Sequence, residues 1–218
     1  MIDEIKATAR RHLATDGANL SLRAVARDIG VVSSALYRYF GSRDDLLTAL
    51  IIDAYNALGE AAERADAAMP RADLHGRWMA VGNAIRAWAK ATPHEYALIY
   101  GSPVPGYRAP RDTVGPASRP TVVLGAILRD GTAAGVLRTE PGERLPKVVQ
   151  AELRRLRDDA FPDVPVAVLS RGFGAWIQLF GLINFEVFGR FQNVIDDLDA
   201  YFEYQLRAMA AAIGVPRR

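Results

Sequence analysis

Residues 20–47 read LSLRAVARDIGVVSSALYRYFGSRDDLL. Ser21 can cap a helix whose inward face is Leu22, Val25, Ala26 and Ile29, at helical spacing. Gly30 then supplies the positive φ that a sharp turn needs and that other residues resist. A second helix of about nine residues is predicted from Ser33 or Ser34, with Leu36 and Phe40 pointing inward. Alanine at position 26 lets two helices cross closely, where a larger side chain would push them apart. Hydrophobic, small, hydrophobic, glycine, second helix: this is the spacing of a helix-turn-helix.

The outward face of that second helix carries Ser33, Ser34, Tyr37, Arg38 and Tyr39. Serine hydroxyls bond base edges or phosphates, and a tyrosine offers a hydroxyl to phosphate and a ring to a thymine methyl. In GSRDDLL, Ser42 and Asp45 form a capping box. Arg43 falls in the first turn of the helix they open, where its charge opposes the dipole. A bound phosphate would resolve that conflict, because dipole and guanidinium both attract it. Residues 1–43 hold seven Lys or Arg against four acids, a mildly basic local balance in a chain of net charge +2. So modest a surplus suits DNA only through a dimer that doubles the contacts.

Beyond this stretch the chain reads as further helices. Ile2, Ile5, Ala9 and Leu13 share one face, with Gly17 as the terminator. LLTALIIDAYNALGEAAERADAAM continues as one helix, leaving no visible linker. Leu74, Trp78, Val81, Ile85 and Trp88 form an apolar stripe, and a shorter helix covers HEYALIY. The proline- and glycine-dense GSPVPGYRAPRDTVGPASRP is predicted irregular, with helix resuming at TVVLGAILRDGTAAG and stopping at Gly135. Leu145, Val148, Val149, Leu153 and Leu156 give a polar helix one apolar side. Two long helices close the chain, at about 166–188 and from an Asn193 cap, with Asp196 three residues on, to Gly214 and Pro216. No strand pattern or internal repeat is found. The expectation is all-α, with about nine helices: a three-helix helix-turn-helix domain at 1–46 and a larger helical domain at 47–218.

The 218 residues include no cysteine, which excludes disulfides, thiolate zinc sites and cysteine nucleophiles. MIDEIKATARR lacks the apolar core of a signal peptide. The uncharged run Gly172–Phe185 falls short of the ~20 residues that cross a bilayer, so no membrane association is expected and the cytoplasm is the expected compartment. Gly172 and Gly174 are only a fragment of a dinucleotide motif, and His12, His75 and His94 stand apart with no carboxylate at ligand spacing. No cofactor, metal or catalytic group is expected.

Residues 5–50 resemble the DNA-binding domain of the TetR family of transcriptional regulators. SLRAVARDIGVVSSALYRYFGSRDDLL carries the likeness through its capped helix, small crossing residue, turn glycine, aromatic-rich recognition helix and capped fourth helix. Tyr39 stands where histidine is common in that family, and Arg43 where lysine is usual. The DNA-contacting set is then Ser21, Arg23, Ser33, Ser34, Ala35, Tyr37, Arg38, Tyr39 and Arg43. HEYALIYGSPVPGYRAP resembles one C-terminal subgroup, in which a helix runs into an irregular proline-rich loop.

The resemblance implies a homodimer on a near-palindromic double-stranded operator, released by a small-molecule effector held in the C-terminal domain. Candidate effector residues are Trp78, Asn83, Arg86, Trp88, His94, Tyr96, Tyr100, Trp176, Gln178, Phe180 and Asn184, which pair aromatic with polar side chains. Such a set suits a hydrophobic or aromatic compound. Gln178 and Asn184, in the most apolar helix, need hydrogen-bond partners at a dimer interface, on a ligand or on backbone. The apolar surplus of the last two helices points to a two-fold interface through Phe173, Phe185, Phe188, Tyr201, Phe202 and Leu206, with Trp176 and Phe180 adding to the same surplus. Two alternatives stay open: a constitutive dimeric DNA-binding protein without effector, and a helical enzyme holding a small substrate.

Overall fold

The structure is a computed structural model that describes residues 1–16 and 20–216. Gly17, the expected terminator of the first helix, lies outside the described residues. Ten α-helices appear among the described residues, with no strand: α1 Ile2–Asp16, α2 Leu22–Asp28, α3 Ser33–Leu36, α4 Arg43–Ala67, α5 Leu74–Ala91, α6 Pro93–Tyr100, α7 Val114–Ala133, α8 Lys147–Ala160, α9 Val166–Val187 and α10 Leu198–Ile213. The all-α reading holds. By contacts the chain forms two compact units, Met1–Gly59 with Ala89–Arg119, and Glu60–Trp88 with Pro120–Arg218.

The first unit is built on the apolar faces of α1, α2 and α4. Ile5, Ala9, Leu13, Leu22, Val25, Ala26, Leu36, Phe40, Leu46, Leu47 and Leu50 form one buried cluster. The turn between α2 and α3 is made as its residues dictate. Gly30 adopts φ +73°, and the amides of Gly30 and Val31 return to the carbonyls of Arg27 and Ala26 at 3.1 and 3.0 Å. Ser21 Oγ accepts the Ala24 amide at 3.4 Å, and Ser42 Oγ accepts that of Asp45 at 3.1 Å, so both predicted caps are present. His12 Nε2 lies 2.7 Å from Asp28 Oδ2 and ties α1 to α2, so this histidine is paired rather than isolated. The irregular segment after α6 is not loose: Val104 and Tyr107 pack on the same core, and the Tyr107 hydroxyl lies 2.9 Å from Thr48 Oγ1.

Three element boundaries differ from expectation. The second helix of the helix-turn-helix has four α-helical residues rather than nine. Beyond Leu36 the amides of Arg38 and Tyr39 reach back three residues, to Ala35 and Leu36, tightening the end into a turn. The seventh helix starts at Val114, not at Thr121. Pro116 sits in its first turn, where no amide is required, and Pro120 forgoes one internal bond inside it. The last helix opens at Leu198 on an Asp197 cap, whose carboxylate accepts the Ala200 amide at 2.8 Å. Asn193, the expected cap, instead takes φ +61°, a conformation asparagine tolerates better than most residues.

In the second unit α5 is held by both packing and charge. Trp78, Val81 and Ile85 are buried, and Gly82 allows Leu206 so close that a Cβ there would fall 2.5 Å from Leu206 Cδ1. Arg77 is fully buried. Its Nε donates to Asp66 at 2.7 Å and its Nη1 to Asp130 at 2.7 Å, with Arg71 on the same carboxylates. α8 differs from the rest. None of its residues is fully buried; Val148 and Val149, expected on its inward side, are both exposed, and Leu145 precedes the helix. α9 is the one helix among the described residues long and apolar enough to span a membrane by length and composition, and 44 % of its most apolar window is buried.

A Cβ at position 30 would meet no atom within 4 Å, so substitution there tests backbone conformation alone. Gly30→Ala is expected to cost about 1–2 kcal/mol, and Gly30→Asn less, measured by urea unfolding of the full chain.

Candidate functional site

The turn at Gly30 decides what the first unit presents. Leu36 and Phe40 are one helical turn apart and both are buried, which drives the intervening residues outward. Tyr37 is 49 % exposed and Tyr39 46 %, and Arg38 and Ser34 are exposed beside them. Ser33 and Ala35 are half-buried. Next to Tyr37 a shallow depression of about 470 Å³ is lined by Leu20, Ser21, Arg23, Tyr37, Ser42 and Arg43. It therefore sits where α2 and α4 both begin, with their first-turn amides nearby.

Arg43 is less available than its position suggested. Its Nε donates to the Leu20 carbonyl at 3.1 Å and its Nη1 lies 3.4 Å from Asp44, so it also braces the entry to α2. Ser21 likewise spends its hydroxyl oxygen on the Ala24 amide, though it stays exposed. Exposed hydroxyls, rings and guanidinium groups around two helix starts form a surface that can meet phosphates and base edges together.

The expected effector residues are not brought together. Trp78 and Trp176 line a cavity of about 80 Å³ in the second unit. The rest of its wall is Thr121, Leu124, Gly125 and Leu128 of α7, then Leu156 and Phe161 at the end of α8. Leu169, Gly172 and Phe173 of α9 complete it. Phe180 is buried with its ring 5.3 Å from that of Trp176, outside the lining.

The other candidates are engaged elsewhere. Arg86 binds Glu186 through two nitrogens at 2.7 Å and Asp199 through one at 2.7 Å, and stands 4.5 Å over the Phe202 ring. Asn83 and His94 are exposed, Asn83 bonding the Met79 carbonyl. Trp88 is half-buried and outside the cavity wall. Gln178 is exposed and 3.2 Å from Gln205. Asn184 donates to the Phe180 carbonyl at 2.9 Å, so backbone satisfies it.

Tyr96 and Tyr100 belong to the first unit, where their rings lie 5.2 Å apart and Tyr100 meets Tyr55 edge-on. They are core, not cavity.

The expected dimer residues divide in two. Phe202 and Leu206 are buried within the protomer and cannot face a partner. Tyr201 is half-buried against Phe191. Phe173, Phe185 and Phe188 remain exposed along α9 together with Ile177. Gly174 and Gly181, on the same helix, face open space. Sequence reasoning missed the walls from α7 and α8, and the one signal for them was small residues in apolar company. Gly125 lies against the Phe161 ring and Gly172 against Leu128, where any Cβ would collide.

Burial pushes the Tyr96 and Tyr100 hydroxyls well above the ordinary tyrosine range, Tyr100 further through Tyr55 and Tyr96. Their folded-state values are raised, so their contribution is complete below pH ~10 and is lost as pH climbs through the folded values. In an alkaline titration followed by ultraviolet difference absorbance, two tyrosines are expected to ionise only together with loss of helical circular dichroism.

The chain is similar to known proteins over nearly its whole length. Residues 5–50 match the family profile described as bacterial regulatory proteins, tetR family, and residues 78–209 match the tetracyclin repressor-like C-terminal domain. An HTH-type transcriptional regulator of Mycobacterium tuberculosis is 38 % identical over 212 residues, 94 % of this chain and 88 % of that protein. The crystal structure of the regulatory protein SCO4313 superposes with a TM-score of 0.79 at 36 % identity, covering 96 % of this chain and 95 % of that one. The fold also recurs in the TetR family regulator PfmR of Thermus thermophilus, with a TM-score of 0.60 at 22 % identity, over 98 % of this chain and 99 % of that one.

Proposed function

The chain belongs to the TetR family of DNA-binding transcriptional regulators, and from that premise we propose that it is a repressor acting as a homodimer on a near-palindromic operator and released by a small apolar effector. The family members it matches are regulators, not enzymes. The observation that carries the DNA reading is the outward row Tyr37, Arg38 and Tyr39 beside the starts of α2 and α4. Residues 1–46 serve as the reading domain and 47–218 as the effector and dimer domain. Tyr37, Tyr39, Ser33 and Ser34 reach base edges and nearby phosphates, with Ala35 against the groove wall. Arg23, Arg38 and Arg43 meet the backbone, and Ser21 marks a helix start aimed at it.

The homodimer rests on α9. Phe173, Ile177, Phe185 and Phe188 recur at helical spacing with two open glycines between them, an apolar stripe that admits close approach of a second copy. That stripe also accounts for the apolarity of α9, and a cytoplasmic location follows from a chromosomal partner. Two recognition helices then meet successive major grooves about 34–36 Å apart.

The cavity around Trp78 and Trp176 is the effector site. The lever is α4, whose residues 43–59 count with the first unit and 60–67 with the second. An effector shifts it only by binding the released form better, at a coupling of about 1–3 kcal/mol.

Tyr37→Ala is expected to weaken binding to the chain's own upstream DNA by about 1–3 kcal/mol in a gel-shift assay, with helical content and sedimentation unchanged. Arg38→Ala is expected to weaken all sequences alike and to lower the salt slope by about one per protomer. Loss of folding in Tyr37→Ala, or an unaltered slope in Arg38→Ala, overturns the assignment.

A further inference from the structure

Two tryptophans line the cavity of the second unit, and they differ in one respect. Trp78 Nε1 donates to the Leu206 carbonyl at 2.9 Å. Trp176 Nε1 is buried and has no hydrogen-bond partner among the described residues. Buried indole N–H groups are almost always satisfied, so an orphan on a cavity wall calls for a reason. The same wall carries no Lys, Arg, Asp, Glu or His side chain, and Thr121 is its only other polar member. An ion entering there would shed its hydration without compensation, so the site rejects charged compounds. Its volume, about 80 Å³, is about half the ~150 Å³ that holds benzene in an engineered cavity, and Phe173 of its wall is exposed, so it takes the acyl- or alkyl-sized end of a ligand whose remainder lies outward against Phe173. Phe173 and Trp176, both in this wall, stack with ring planes 10° apart and centroids 5.6 Å apart.

We infer that the effector is an uncharged, mostly apolar molecule bearing one neutral acceptor, such as a ketone, ester or lactone oxygen, which takes the Trp176 Nε1 hydrogen. The inference rests on the effector-site reading and names the ligand class for that site. An apolar hydrocarbon of the same shape fills the volume but leaves the donor unsatisfied. A carboxylate could accept the hydrogen bond but loses more by leaving water.

The test compares three probes of similar size on the full-length protein: acetophenone, ethylbenzene and benzoate. Binding is followed by the indole N–H resonances of the protein's three tryptophans, and affinity by the same titration. Acetophenone is expected to bind roughly tenfold more tightly than ethylbenzene and to move one indole signal downfield, the one lost in Trp176→Phe. Benzoate is expected not to bind. In Trp176→Phe the preference for acetophenone should fall to near unity while ethylbenzene still binds. Equal affinity of the two neutral probes for the wild type, or an unshifted Trp176 resonance, overturns the acceptor inference and leaves the cavity as a plain apolar site. Failure of both neutral probes to bind overturns the effector-site reading itself.

Discussion

The arrangement of the DNA-reading face depends on one turn. Gly30, at φ +73°, lets α2 stop and reverse without a steric penalty, and Ala26 keeps the crossing close because it adds no bulk at the contact. With that crossing fixed, Leu36 and Phe40 must enter the core shared by α1, α2 and α4, since nothing else covers them. Burial of those two residues sets the rotation of α3, and the rotation exposes Tyr37, Arg38 and Tyr39. The hydrophobic effect thus positions a polar surface: each buried side chain is worth about 1.5–3 kcal/mol, and the outward residues take the face that remains. Arg43, bonded to the Leu20 carbonyl, locks the far end of the same arrangement.

The second unit uses charge for the same purpose. A fully buried guanidinium is tolerable only where its donors are consumed, and Arg77 meets Asp66 and Asp130 at 2.7 Å each. Those partners come from α4 and α7, so one residue of α5 gathers three helices. Nine residues along, Arg86 gathers the end of α9 and the start of α10 through Glu186 and Asp199. Neither cluster is a strong source of net stability, because desolvation offsets most of the attraction. Their effect is on geometry, since a slipped helix would leave a buried charge unpaired.

Local signals are legible in the sequence, and long-range ones are not. Ser21, Gly30, Ser42 and Gly135 act on their immediate neighbours, so their roles followed from type and spacing alone. Pro120 misled because the cost of one lost backbone bond is small beside the packing of a 20-residue helix whose inner face is buried. Asn193 misled because asparagine serves equally as a cap and as a left-handed turn residue. The effector residues were the least legible. Arg86 shares α5 with Trp78 and Trp88, yet its partners lie 100 and more positions away, beyond any periodicity. Phe202 and Leu206 looked like surplus because a single helix shows how much apolar surface it has, not how much its own protomer will cover.

The contrast between Trp78 and Trp176 bears on how such a protein could respond to one compound among many. A purely apolar cavity discriminates poorly, because adding or removing a methylene changes affinity by only about 1–3 kcal/mol. One unpaired donor changes the terms. A hydrocarbon that enters leaves that donor unsatisfied, whereas a ligand with an acceptor satisfies it. An unmet hydrogen bond separates ligands of equal size and shape, which buried area cannot do, and it requires only one atom. The fold can afford that atom because α9 is anchored by its other contacts: Ala167, Val168, Leu169, Leu179 and Ile183 are buried along its inward side. Selectivity for a neutral acceptor can therefore reside in a single indole while the wall around it, Thr121 apart, stays apolar.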